Sequence, residues 1–437
     1  MSTGVKHELM LLPPQPSEKL KPCLIPCVMA EDYASKPREA RRFSAILVAI
    51  IFIQTVLVEC CLILWPALPL LLIPRPEARK VFAKVAGWGQ AAWLGLAVTC
   101  LRFIAGVRIY IHTRGVSLAE LQKIHTSVLM ISNHPSRIDW MFHWALAIAL
   151  GRLPDLKIVL KDTLRVAPGF GWAMQCNAYP FVCRKDRNAD LETLRRTSFL
   201  GDPLAMLLFP EGTDLSDSNL QKSHAHAEKE GLSKYMQVLH PRTAGFETAW
   251  SSMTEAAKTT KAEEVPVLLD LTVAYIDHVP GELPNEVKFF GRGECCQEVH
   301  FLVQRPGTVD SASALCTKLW KEKEETLSKF YAPCQKDGKR SGSGKLPDRS
   351  ALGASHTVLW EEAPGAQGRM LGSLLVAFIC EAIAFYLLCK LPWILTFGLF
   401  AAACASFVII QKLAGGIDKV ILTHADRYGG LSSPKQD

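Results

Sequence analysis

Val128-Leu129-Met130-Ile131-Ser132-Asn133-His134-Pro135-Ser136-Arg137-Ile138-Asp139-Trp140 is the stretch from which the rest of this 437-residue chain can be read. A short β-rich apolar run ending in Asn-His-Pro predicts a buried strand that opens into a turn, the usual place for a scaffold to present side chains. His134 and Asp139 would lie about 140° apart on an ideal helix, so they meet only if the backbone turns between them, and Pro135 and Ser136 permit that turn. A carboxylate that reaches an imidazole fixes its tautomer, stabilises the imidazolium and leaves the other ring nitrogen free to take a proton from a hydroxyl. The stretch therefore predicts a general base, His134, oriented by Asp139. The plainer alternative is a helix starting at Pro135 and capped by His134, with Asp139 as a solvated first-turn acid.

Outward from this stretch, short apolar runs alternate with helical patterns. Strands are expected at 107–112, 128–131, 156–160, 179–183, 204–209 and 267–275, with further strands at 287–290 and 299–303. Helices are expected at 118–124, after Asp139, and at 169–178, 191–199, 218–230 and 312–331. That alternation predicts an α/β fold with a mostly parallel sheet flanked by helices.

The flanks differ in character. Hydrophobic residues make up 49% of the chain, too many for an ordinary soluble domain of this charge content, which points to membrane segments. Residues 43–73 form a nearly continuous apolar run kinked by Pro66 and Pro69, 85–101 a weaker one, and 371–389 with 391–410 a hairpin broken by Pro392. The expected organisation is a disordered tail 1–42, membrane-embedded helices 43–107, a catalytic domain 108–332, a flexible linker 333–369, a transmembrane hairpin 370–411 and a tail 412–437. The linker contains Gly342-Ser343-Gly344-Lys345 but lacks the other residues of a phosphate loop. Paired hydrophobic segments place both tails and the central region on one face of the bilayer. The net charge of +7 is concentrated near those segments and suits a lipid headgroup layer, not nucleic acid. Of the fourteen cysteines several lie inside apolar runs, and Cys23/Cys27 has no partner set for zinc, so no metal is expected and a reducing, cytosol-facing setting fits.

Other predicted strand ends carry chemistry as well. Phe209-Pro210-Glu211-Gly212-Thr213-Asp214 follows an apolar strand, and in a parallel sheet the C-terminal strand ends gather where ligands bind, which would bring Glu211, Gly212 and Thr213 near His134. Gly212 lets backbone amides approach a phosphate and Thr213 adds a donor. Arg184, after 179–183, is placed to clamp a phosphate, and Arg242 in His240-Pro241-Arg242-Thr243 is a further candidate.

Asn133-His134 with Asp139, then Arg184, then Phe209-Pro210-Glu211-Gly212-Thr213, in this order, resembles the membrane glycerolipid acyltransferases, the lysophosphatidate acyltransferase family. Gly169-Phe170-Gly171-Trp172-Ala173-Met174-Gln175, Val238-Leu239-His240-Pro241-Arg242-Thr243, Asp270-Leu271-Thr272-Val273-Ala274-Tyr275 and Trp320-Lys321-Glu322-Lys323-Glu324-Glu325 look like its lysocardiolipin acyltransferase branch, and the likeness covers about 85–331. That branch typically has Arg-Thr-Arg-Met between the His and the Asp, where this chain has Pro135-Ser136-Arg137-Ile138. The departure leaves the base intact and opens the question of headgroup preference.

The resemblance implies an O-acyltransferase of the endoplasmic reticulum in which His134 deprotonates the hydroxyl of a lysophospholipid for attack on acyl-CoA, with no cofactor beyond acyl-CoA as co-substrate. Arg184, Glu211, Gly212 and Thr213 match the family's acceptor-binding positions, and Arg137 and Arg242 lie beside them. A lysophosphatidate acceptor, a catalytically silent membrane scaffold and a metal hydrolase built on His224 and His226 are the competing readings.

Overall fold

A computed structural model describes residues 37–200, 203–259, 265–276, 284–307, 311–335 and 345–429. The chain enters through α1 (Arg38–Glu59), which runs on through a π-helical turn (Cys60–Leu64), a single α turn, α2 (Trp65–Ala67), and a 3-10 turn (Leu68–Leu72). Pro66 and Pro69 lie in these last turns, so the prolines tighten the helix end without reversing it. Helix α3 (Pro76–Phe103) returns alongside α1. The helix already begins at Arg38, inside the expected tail, and residues 1–36 of that tail lie outside the described residues.

The catalytic region follows as β1 (Arg108–Arg114), α4 (Leu118–Gln122), β2 (Val128–Ser132), α5 (Asp139–Leu150), β3 (Leu156–Ile158), β4 (Leu160–Lys161), α6 (Phe170–Cys176), β5 (Phe181–Val182), α7 (Arg187–Ser198) and β6 (Ala205–Leu208). Then come α8 (Asp217–Lys229), α9 (Thr243–Thr259), β7 (Val267–Ile276), β8 (Glu298–Gln304), α10 (Ala312–Tyr331), β9 (His356–Leu359), α11 (Ala366–Lys390), α12 (Trp393–Ala414) and α13 (Ile417–Tyr428). The main sheet has seven strands in the order β3-β6-β2-β7-β8-β1-β9. Four neighbouring pairs are parallel, and the two antiparallel pairs are β7/β8 and β1/β9. This is the expected mostly parallel α/β sheet flanked by helices.

Burial explains the strand sequences. Every residue of β2, β6 and β7 is buried, because helices cover both faces of the sheet. One face packs on α5, which is apolar around nearly its whole circumference because it is wedged between the sheet and the membrane helices α3 and α11. Phe246, Met253, Trp320 and Leu327 of α9 and α10 cover the other face.

Four helices are long and apolar enough to cross a membrane: Arg38–Leu72, Pro76–Phe103, Ala366–Lys390 and Trp393–Ala414. Helix α11 lies along both α3 and α1, so the terminal hairpin and the first two helices form one membrane module.

Three expectations fail. The segment 287–290 is a π-helical turn (Val287–Gly291), not a strand: the Asn285 side chain accepts from the Lys288 amide at 2.9 Å and starts a helical turn that drives Phe289 into the core. Residues 345–369 are not flexible linker. Strand β9 extends the sheet at β1, Trp360 is fully buried, and Arg102 and Glu361 form a buried ion pair at 2.6 Å. The tail 412–437 contains α13, docked through a buried Arg165–Asp418 ion pair at 2.8 Å and an Ile417 amide that donates to Gln175 at 2.8 Å. Short strands and docked helix ends carry too few apolar residues to stand out from their polar surroundings.

Candidate active site

Strand β2 ends at Ser132, and Asn133 locks that end in place. Its side-chain amide donates to the Val273 carbonyl at 3.0 Å while its oxygen accepts from the Val273 amide at 2.7 Å, imitating one more step of the β2–β7 ladder. The chain then turns through Pro135 and Ser136 into α5, whose first residue is Asp139. The His134 Nδ1 lies 2.9 Å from Asp139 Oδ2, which also accepts from the Ser136 amide at 3.0 Å. The tautomer follows: Nδ1 donates to the carboxylate and Nε2 carries the free lone pair. Asp139 is fully buried whereas the His134 side chain is 15% exposed, so only the imidazole faces the outside of the site. The ring lies on Phe209 with centroids 4.4 Å apart. The alternative of a solvated first-turn acid is thereby excluded.

Burial pushes the Asp139 carboxyl above its ordinary value, and hydrogen bonds from His134, Tyr275 and Ser136 pull it back down. The Tyr275 hydroxyl donates to Oδ1. One turn along α5, His143 bonds through Nδ1 to the Asp139 carbonyl at 2.8 Å and through Nε2 to the Ser132 hydroxyl at 3.1 Å. Burial depresses His143 to about 3, so it stays neutral as a bolt between helix and strand.

Glu211 follows β6, the neighbour of β2, and is buried. Its Oε1 accepts from the His134 amide and from the Trp320 indole, each at 3.2 Å, and its Oε2 accepts from the Leu239 amide at 3.1 Å. Burial pushes this carboxyl up to about 7 against those donors. Glu211 was expected to contact the acceptor; its carboxylate instead turns inward and holds the backbone of the base to the loop before Arg242.

Gly212 has φ +72, the left-handed region that favours glycine, and a Cβ there would stand 3.7 Å from Arg242 Cδ. The Arg242 amide donates to the Pro210 carbonyl at 2.8 Å. Arg184 is one of two non-glycine residues with positive φ among the described residues, at +62, a turn held by Asp190, which accepts from the Arg184 amide at 2.8 Å. Burial first and the neighbouring Arg242 charge second hold its guanidinium below the usual arginine range. Neither arginine closes an ion pair among the described residues. The two arginines stand near each other by the Gly212 turn, with Asp190 and Asp214 as opposite charges that also reach Arg184. Their route there differs from expectation: β5 pairs only with β4 in a separate two-stranded sheet, and Arg242 sits on a loop, so neither arginine comes from a C-terminal end of the main sheet.

The Thr213 hydroxyl accepts from the Asn219 side-chain Nδ2 at 2.9 Å. Arg137 is exposed and lies 3.6 Å from Asp214 and 3.4 Å from Glu286. Trp140, next after Asp139, joins an aromatic cluster where the catalytic region meets the membrane helices: its ring centroid is 5.0 Å from Trp144 and 5.4 Å from Phe170, and the fully buried Trp144 and Trp93 lead on to Phe52.

An imidazole held on a buried carboxylate is suited to take a proton from a hydroxyl. Residues 115–252 match the Acyltransferase family. Lysocardiolipin acyltransferase 1 of Mus musculus is 32% identical over 370 residues, covering 82% of this chain and 89% of its own length. The chain belongs to the glycerolipid acyltransferase family. Lysophosphatidylinositol acyltransferase 10 of Caenorhabditis elegans is 30% identical over 257 residues, 55% of this chain and 60% of its own. A 1-acyl-sn-glycerol-3-phosphate acyltransferase 2 of Brassica oleracea is 28% identical over 284 residues, 63% and 69%. The protein is thus an O-acyltransferase, and the resemblance read from the motifs holds.

Residues to which the sequence assigned no role complete the site. Tyr275, Trp320 and His143 touch the dyad or Glu211, and Glu324 accepts from the Met236, Gln237 and Val238 amides at 2.8, 2.7 and 3.2 Å, fixing the loop before Arg242. Tyr275, Trp320 and Glu324 fall in stretches that carry the family resemblance, but their contacts with the site show only in the folded chain.

Proposed function

We propose that the chain transfers an acyl group from acyl-CoA to the free hydroxyl of a lysophospholipid of the lysophosphatidylinositol, lysophosphatidylglycerol or lysocardiolipin type. The observation that carries this reading is His134 Nδ1 at 2.9 Å from buried Asp139, which leaves Nε2 for the acceptor hydroxyl. Nε2 takes the proton of the acceptor hydroxyl, the oxygen adds to the thioester carbonyl, and the carbon–sulfur bond breaks as CoA leaves, protonated in turn by the imidazolium. Transfer is direct, with no covalent acyl-enzyme. Arg184 and Arg242 grip the acceptor phosphate, with Gly212 leaving room and Thr213 at the rim. Arg137, screened by Asp214 and Glu286, meets the headgroup beyond it.

The membrane helices α3 and α11 packed directly on α5 support acyl chains that stay at the membrane boundary while CoA remains in water. Two candidate spans before the catalytic domain and two after it put both flanks of that domain on one face, and Cys183, Cys389 and Cys404, the least buried cysteines among the described residues, are free thiols, which supports a cytosolic face at the endoplasmic reticulum. No metal or resident cofactor takes part. The two unpaired arginines equally suit a phosphomonoester, so lysophosphatidate is the second acceptor to weigh. Membranes bearing the full chain, assayed with labelled oleoyl-CoA against each acceptor, should show transfer to at least one inositol, glycerol or cardiolipin lysolipid above lysophosphatidate. Full activity in His134→Ala would overturn the base assignment, and transfer confined to lysophosphatidate would overturn the acceptor.

A further inference from the structure

Within the acyl-transfer reading proposed above, on which this inference rests, Asp139 poses a physical problem. It is fully buried and is useful only as a carboxylate, a form that burial disfavours. Its two oxygens are served differently. Oδ2 is shared by the His134 ring and the Ser136 amide, whereas among the described residues the Tyr275 hydroxyl is the one donor facing Oδ1.

Tyr275 is itself built into place. Strand β7 runs past the end of β2, so the Tyr275 amide has no strand partner on that side, and it donates instead to the Tyr331 hydroxyl of α10 at 2.8 Å. The ring is fully buried against Phe142 of α5, centroids 5.7 Å apart. We propose that Tyr275 is a positioning residue for the transfer reaction: its phenol fixes and stabilises the Asp139 carboxylate, and through it the tautomer and angle of His134. The phenol does not touch the acceptor. Burial and the adjacent carboxylate hold Tyr275 well above the usual tyrosine range, so it remains a donor at every working pH.

The ionisable groups around this pair are few. His134 faces Asp139 from the loop after β2, His143 from the next turn of α5, and Glu211 lies across the His134 amide; Cys296 and Tyr331 stand behind Tyr275. His143 is held neutral, and the cysteine and tyrosine sit behind the phenol. Loss of the phenol removes support from the active protonation state, neutral His134 over ionised Asp139, and so favours a proton on the pair.

Tyr275→Phe in the full chain in membranes tests this through the pH profile of kcat/KM. The acid limb should move to higher pH by about one unit, with kcat at the plateau down about 10-fold and the KM values for both substrates unchanged. A second chain carrying 3-fluorotyrosine at position 275, a stronger donor of nearly the same size, should move the limb the other way, and it decides the matter alone if Tyr275→Phe does not accumulate. In an Asp139→Asn background Tyr275→Phe should cost nothing further. An unmoved acid limb in both chains, a change confined to KM, or full additivity with Asp139→Asn overturns the proposal. Full activity in His134→Ala would instead sink the base reading itself, whatever Tyr275 does.

Discussion

Glu211→Gln keeps the shape of a buried side chain and removes its charge, and the consequences for stability and for activity run in opposite directions. Glu211 is raised from an ordinary value of 4.5 to about 7, with burial as the main cause. A group whose folded-state pKa is raised gives stability that is complete below its unfolded value and is lost as pH climbs through the folded one. For Glu211 the window runs from about 4.5 to about 7, and the loss amounts to about 3 kcal/mol at 1.36 kcal/mol per unit. A Gln at this position does not titrate, so the variant escapes that loss. Thermal unfolding of the detergent-solubilised full chain should show the midpoint of the wild type falling relative to Glu211→Gln between pH 5 and pH 8, by several degrees. Activity goes the other way. The carboxylate satisfies three N–H donors, those of His134, Leu239 and Trp320. An amide has one oxygen, so at least one of these donors ends up facing an NH2 group, and leaving one buried donor unmet costs about 1–3 kcal/mol of local order. Acyl transfer at pH 8 should therefore drop about 10-fold or more in a protein that is no less stable. A pH-independent difference between the two unfolding midpoints would refute the reasoning, as would a variant that loses stability at pH 8 together with its activity.

Asp139→Asn should lower kcat by about 10²–10⁴-fold at every pH, because an amide no longer dictates which imidazole nitrogen carries the proton; labelled acyl transfer in membranes measures it. Arg184→Ala and Arg242→Ala should each raise KM for a phosphate-bearing acceptor about 10-fold or more and leave transfer to a monoacylglycerol unchanged, and a uniform loss on both acceptors would remove them from the anion site. Lys323 and Asp270 are each 1% exposed and 2.5 Å apart, so Lys323→Met strands a buried carboxylate. That should cost about 3–5 kcal/mol, and Lys323→Met with Asp270→Leu should recover most of it, read from unfolding midpoints.

The parts legible from sequence are those where local pattern and tertiary role coincide. The strand–turn–helix at His134 announces itself because an apolar run ends in residues that cannot continue it, and the spacing of His134 and Asp139 then has one useful outcome. The alternation of elements gives the sheet for the same reason. Where two parts of the chain complete each other the pattern falls silent. Arg184 reads as the end of a main-sheet strand, yet β5 is two residues long and belongs to another sheet; the arginine reaches the site through a left-handed turn pinned by Asp190. Glu211 has the composition of a ligand-binding acid, and only the positions of three distant N–H groups show that it faces inward. Tyr275 is an apolar position by every local test, since its hydroxyl matters only against a carboxylate from another element. Strand β9 is four residues of weak pattern inside a polar segment, and what makes it a strand is the open edge of β1.

The family match ends at residue 252, but the base is held from well beyond it. Helix α10 carries Trp320, Lys323, Glu324, Leu327 and Tyr331, at spacings that share one helix face. Each of the polar ones has a buried partner: Trp320 binds Glu211, Lys323 binds Asp270 and the Leu271 carbonyl of β7, Glu324 accepts from three successive amides, and Tyr331 accepts from the Tyr275 amide. The three-amide grip explains how a loop can present Arg242 reproducibly, since residues 236–238 are fixed by Glu324, Leu239 by Glu211 and Arg242 by the Pro210 carbonyl. His134 and the loop that carries Arg242 are therefore coupled through one helix and one carboxylate. A shift of α10 would disturb the tautomer of His134 and the reach of Arg242 together, so the smallest unit that can hold the catalytic geometry extends through Tyr331.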